Sequence, residues 1–165
     1  MLQLSKIISF LLHPIFLFVY LFIIAVAVDP YLQFVMPPEQ GKPLLIILVI
    51  NTIVLPVVSL LFLLKRGAIQ SIYLTNPKDR KIGVLVMFVF YLITYILIRK
   101  LAVPQSFLAI FCGVLVSLVI VFFISGYFNI SMHALAVGGL IGTLFGLFKA
   151  HAFINLYALA GAFIL

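Results

Sequence analysis

Long unbroken apolar runs, separated by short clusters of charge and helix-breaking residues, set the plan of this chain. Runs at about 7–28, 44–64, 82–98, 107–127 and 132–148 each have a length suited to a helix crossing a hydrocarbon core, roughly 17 to 25 residues. A further run at 153–165 is too short to cross alone, since the core needs roughly twenty residues. Polar and apolar positions do not alternate along these runs as they would in barrel strands. Backbone groups in lipid have to be satisfied within their own segment, so the predicted spans are helices. The expected fold is all-α: one transmembrane helical domain over 1–165, a polytopic bundle of about six helices with the last one incomplete. Leu165 is apolar with no polar flank, so the native chain is expected to continue past it, or the last run to be a partial span.

Composition supports a membrane location. With 67% hydrophobic and 8% charged residues and a mean hydropathy of +1.43, there is too little polar surface to cover a water-soluble core. The formal charge of +7 sits almost wholly in the connections and chain ends, where it favours anionic head groups or phosphate-bearing substrates. Retention of basic flanks on one side of the membrane accounts for it as well. The expected partners are membrane lipids, anionic or phosphorylated, and no nucleic acid. The single cysteine, Cys112, excludes an intrachain disulfide and reads as core packing.

The connections carry the polar chemistry. Lys6 precedes the first run, and Ala25-Val26-Ala27 resembles a signal-peptide cleavage site, although the run is longer than a usual signal core and favours a retained helix. His13-Pro14 falls in the first turns of that span, where the proline is expected to bend the helix and His13 to snorkel to the interface. Residues 29–43 form a breaker-rich connection whose Asp29, Glu39 and Lys42 give a slight negative charge, which places it outside. Asn51, in the second span, is expected to hydrogen-bond across helices. The stretch 65–81 is the most basic and is assigned to the cytoplasmic side, as is the N-terminus. Ile69, Ile72 and Tyr73 within it recur at helical spacing, as in a segment lying in the head-group plane. Its two cationic clusters suit phosphate oxygens and equally suit a topology signal. Arg99 to Pro104 is short enough to be a tight turn, and Tyr31, Tyr73 and Tyr127 flank spans as interfacial anchors.

In the stretch 129–150, Ala134, Gly138, Gly142, Gly146 and Ala150 recur every fourth position. Such a stripe lets membrane helices approach closely, so Gly138, Gly142 and Gly146 are candidates for a helix–helix contact. His133 stands at the mouth of this helix. A titratable side chain near membrane depth is a functional candidate; capping the helix or binding interfacial water is the alternative.

Ser-Ile-Tyr-Leu-Thr-Asn-Pro-Lys-Asp-Arg-Lys-Ile before the third span and Asn-Ile-Ser-Met-His-Ala-Leu-Ala-Val-Gly-Gly-Leu-Ile-Gly opening the fifth resemble a divergent bacterial branch of the type 2 phosphatidic acid phosphatase superfamily. The likeness covers most of the chain from Leu44 onward. It implies a helical enzyme of the bacterial inner membrane that removes phosphate from lipid phosphates or diphosphates without a metal or other cofactor. Three motifs carry that chemistry in the family. By the resemblance, Ser131 and His133 match the serine and general-acid histidine of the second motif, with Ile130 and Met132 where the family has proline and glycine. Arg80 is the counterpart of the first motif's phosphate-binding arginine, with Lys78 as a loose substitute for its lysine. The family's spacing of lysine, six residues, arginine and proline is not met. The third motif, which supplies an arginine and the nucleophilic histidine, has no counterpart: His151, in Lys149-Ala150-His151, has no arginine beside it. The alternative is a non-catalytic subunit or scaffold of a membrane complex. For a site of this family, the connections bearing Arg80 and His133 are expected to meet on one membrane face.

Overall fold

The computed structural model describes residues 13–151 apart from 73, 75, 102, 126 and 129, and at 148, 150 and 151 the backbone alone. The described residues are helical and contain no strand. They fall into two compact units, Met1–Leu45 with Ser131–Leu165 and Ile46–Ile130, each described by itself. Three helices are long and apolar enough to cross a membrane: α3 (Pro38–Lys65), α4 (Pro77–Ile98) and α5 (Gln105–Ile124). These mark an integral membrane protein. At 22 and 20 residues, α4 and α5 rise about 33 and 30 Å, matching a hydrocarbon core of about 30 Å. The apolar run at 153–165 and the first part of the run at 7–28 lie outside the described residues.

In the Ile46–Ile130 unit, α4 packs against both α3 and α5. Phe107, Phe111, Leu118 and Val121 of α5 are buried, as are Val84, Tyr91, Thr94 and Ile98 of α4 and Leu48, Thr52 and Leu60 of α3. The Tyr91 and Phe111 rings lie 6.1 Å apart. Helix α3 widens to a π turn at Ile50–Val54, where the Leu55 N–H donates to the Ile50 carbonyl. The cause is Pro56, which has no N–H for the carbonyl four residues back and whose ring crowds that turn. The π turn turns Thr52 inward, fully buried. There its side chain hydrogen-bonds that of Tyr91 while its hydroxyl donates to the Leu48 carbonyl at 2.8 Å. Asn51 does not make the expected donation across helices: its Nδ2 donates to Ile47 of its own helix at 3.0 Å. Cys112 is exposed on α5 rather than packed in the core.

Residues 66–76 depart most from the sequence expectation. The described residues of 66–76 are turns and bends with no helix. Gly67, with φ +72°, ends α3 in a left-handed cap: Ala68 N–H donates to the Leu63 carbonyl at 2.9 Å and Gly67 N–H to Leu64 at 3.0 Å. Ile69, expected at the head groups, is 2% exposed. Leu74 takes a positive φ of 51°, costly for a branched side chain. Its side chain lies over Gly83 of α4, in the space a Cβ there would need. Asn76 then caps α4, its side chain accepting from the Lys78 N–H at 3.0 Å. Helix α4 therefore starts at Pro77, five residues before the apolar run, and takes the charged residues into its first turns.

In the other unit, α1 (Pro14–Val28) is followed by α2 (Pro30–Val35), the start of α3, and α6 (Met132–His151). The supposed connection 29–43 is largely helical, because Pro30 and Pro38 each open a helix where their missing N–H is not needed. Pro14 likewise starts α1 instead of bending it. Asp29, buried, caps α2 by accepting from the Tyr31 N–H at 2.9 Å and the Leu32 N–H at 3.3 Å. Helix α6 packs against α1, burying Leu140 and Leu147. Among the described residues the glycine stripe takes no part in this: beyond their own helix, none comes within 4 Å of where a Cβ would stand at Gly138, Gly142 or Gly146.

The seat of Leu74 on Gly83 gives a test. Gly83→Ile is expected to expel Leu74 and loosen 66–76, so that trypsin cuts after Arg66 several-fold faster in detergent solution, with Leu74→Ala in the same chain partly restoring resistance. Unchanged cleavage would show that this contact does not hold the segment.

Candidate functional site

Four side chains were singled out from sequence: Ser131, His133, Lys78 and Arg80. The first two belong to the unit that contains α1 and α6, the other two to the unit that contains α4.

Ser131 is the N-cap of α6. Its Oγ accepts from the Ala134 N–H at 3.2 Å and its carbonyl from the Leu135 N–H at 3.1 Å, which satisfies donors that have no partner inside the helix. That fixes where α6 begins and puts His133 at its second position, exposed. Across from it stands a residue that sequence reading assigned only to the interface. His13 caps α1, its Nδ1 accepting from the Ile15 N–H at a long 3.4 Å. The ring centroids of His13 and His133 are 5.8 Å apart with planes at 80°, and Phe16 packs edge-on to His13 at 6.5 Å. No local sequence signal joins residues 13 and 133; only the packing of α1 on α6 does.

The electrostatics of this end follow from its parts. Two helices begin here, and each N-terminus presents partial positive charge and outward N–H groups. Between them stand two imidazoles with donor and acceptor nitrogens. Two imidazoles this close repel when both are charged. An anionic group is the natural complement of such an arrangement.

In the other unit, Lys78, Asp79, Arg80 and Lys81 occupy the first turns of α4. Lys78 is exposed and Arg80 half-buried. Asp79 is buried and its carboxylate accepts from the Gln70 N–H at 2.8 Å, tying 66–76 to α4. The Lys81 ammonium lies over the Phe122 ring at 5.9 Å. Lys78 and Arg80 therefore stand in the first turns of α4, not in a connection between spans.

Comparisons with protein-family models, with curated proteins and with solved structures find no match.

Ser131→Ala removes the cap on α6. The expected cost is about 1 kcal/mol, read as hydrogen exchange at the Ala134 amide about fivefold faster, with Ser131→Asp restoring protection. Equal exchange in wild type and Ser131→Ala would remove the capping role.

Proposed function

We propose that this protein is a lipid-phosphate phosphatase of the bacterial inner membrane, with the six-span plan and cytoplasmic N-terminus read from its sequence. The observation that carries the reading is His133: an exposed imidazole at a helix start fixed by Ser131, beside a second imidazole, in an otherwise apolar helix. It is supported by the resemblance of Ser131-Met132-His133 to the second phosphatase motif. The resemblance further assigns Lys78 and Arg80 to the phosphate oxygens, arginine in bidentate fashion. Ser131 and His133 serve the bond to be broken. As the phosphorus–oxygen bond opens, His133 gives its proton to the departing alkoxide, which leaves as an alcohol, and water supplies the oxygen that completes inorganic phosphate. Imidazole suits this role because its proton equilibrium lies near neutral pH. The covalent route of the family needs a nucleophilic histidine, and its third motif has no counterpart in 1–165.

The assay is phosphate release from a lipid phosphate or diphosphate by the purified chain in detergent or vesicles. His133→Ala is expected to lower it at least a hundredfold, and Arg80→Gln to weaken it chiefly through KM. Release unaffected by His133→Ala ends the catalytic reading.

One observation favours a second reading, a non-catalytic subunit or scaffold: the open stripe at Gly138, Gly142 and Gly146. A neighbouring membrane helix laid there would pack backbone to backbone. Gly142→Ile is then expected to abolish self-association or co-purification with a partner, measured by crosslinking in membranes, while assembly that survives the change excludes the stripe as the docking face.

A further inference from the structure

We propose that one end of the Ile46–Ile130 unit, built from Lys65, Arg66 and Lys81 with Tyr127 and Phe128, is a binding surface for the head groups of anionic phospholipids. The inference is independent of the phosphatase reading and does not use Lys78 or Arg80.

It begins with an imbalance of charge. Residues 46–130 hold seven cations, Lys65, Arg66, Lys78, Arg80, Lys81, Arg99 and Lys100, and a single acid, Asp79. That acid is turned inward, 4% exposed, with its carboxylate on the Gln70 N–H. The fold thus spends its one local counter-charge on holding the 66–76 segment. Lys65, Arg66 and Lys81 stand at that end of the unit, and Arg99 and Lys100 at the other.

The rings place these cations at a definite depth. The Arg66 guanidinium lies over the Phe62 ring at 5.1 Å and the Lys81 ammonium over the Phe122 ring at 5.9 Å. In both cases an aromatic of a membrane helix supports a cation near a helix end. Helix α5 ends at the same level. Just beyond it Tyr127 and Phe128, whose N–H groups both donate to the Ile124 carbonyl, are 86% and 70% exposed. Exposed aromatics and uncompensated cations at one level are the chemistry of the head-group layer. A zwitterionic head group brings its own ammonium and leaves the imbalance in place. An anionic one removes it.

Each basic residue at an anionic surface contributes about 1 kcal/mol, roughly a fivefold preference. The test is native mass spectrometry of the full chain in neutral detergent, titrated with phosphatidylglycerol or phosphatidylcholine. The wild type is expected to retain phosphatidylglycerol preferentially. Lys65→Gln, Arg66→Gln and Lys81→Gln together should reduce that preference about a hundredfold, and Arg66→Gln or Lys81→Gln alone about fivefold. Arg99→Gln with Lys100→Gln, at the opposite end, should leave it largely intact. Circular dichroism identifies any variant that has lost its helices, and the single changes carry the test if the triple one has. Equal retention of the two lipids by the wild type, or equal losses from changes at either end, overturns the proposal. Displacement of bound lipid by millimolar inorganic phosphate also overturns it, in favour of a free-anion site. Phosphatase activity, present or absent, does not enter the outcome.

Discussion

The constraint on which this structure depends is that backbone N–H and C=O groups in an apolar phase have no water to turn to. A chain with eight prolines meets that constraint with eight missing donors. Pro14, Pro30, Pro38 and Pro77 stand at the first positions of helices, where an N–H would have no partner inside the helix. Pro104 precedes α5. Pro56 cannot be hidden in this way, and the π turn at Ile50–Val54 is the local response. Hydroxyls answer the same pressure: Thr94 donates to the Phe90 carbonyl at 2.7 Å and Ser117 to Gly113 at 2.8 Å, so neither polar group has to seek water. Thr52 does this and also meets Tyr91. The distortion forced by one proline thereby places a polar contact in the core between α3 and α4.

What the sequence made legible was the apolar runs at 44–64, 82–98 and 107–127, where length and hydropathy suffice to identify a helix able to cross a membrane. The ends of the helices were harder to read. Charges at Lys78 to Lys81 read as a connection, yet Asn76 and Pro77 carry the start signals of a helix, and α4 begins there. The same weighting read the middle of 65–81 as a segment lying in the head-group plane, on the helical spacing of Ile69, Ile72 and Tyr73. Gly67 outweighs that periodicity, since its left-handed cap stops α3 and the chain turns Ile69 into the core. Cys112 shows a further limit of reading apolar runs: in a membrane helix an apolar neighbourhood does not distinguish the packed face from the lipid-facing one. For the same reason the glycine stripe could be read as a contact face while the packing of α6 on α1 runs through Leu140 and Leu147.

The candidate site was legible in part for a different reason. Ser131 is recognisable as a cap and His133 as an unusual titratable group, both local signals. His13 was visible only as an interfacial histidine, because its relation to His133 spans 120 positions of sequence and arises from tertiary packing alone. Asp79 was likewise counted as one charge among several in a basic stretch. Its burial gives it another role: a carboxylate that accepts from the Gln70 N–H holds the 66–76 segment on α4 and is not one more surface charge.

These residues differ in how far structure and chemistry are tied together in them. Ser131 and His13 each cap a helix, and Asn76 and Asp79 hold the start of α4, so removing any of these side chains disturbs backbone as well as site. His133 does neither: it follows the cap, makes its described ring contact only with His13, and leaves its nitrogens outside the hydrogen bonds that build α6. A histidine is not required at such a position for stability, since the cap on α6 is made by Ser131. The fold nevertheless accommodates an imidazole there and brings a second one to meet it, 5.8 Å away between ring centroids.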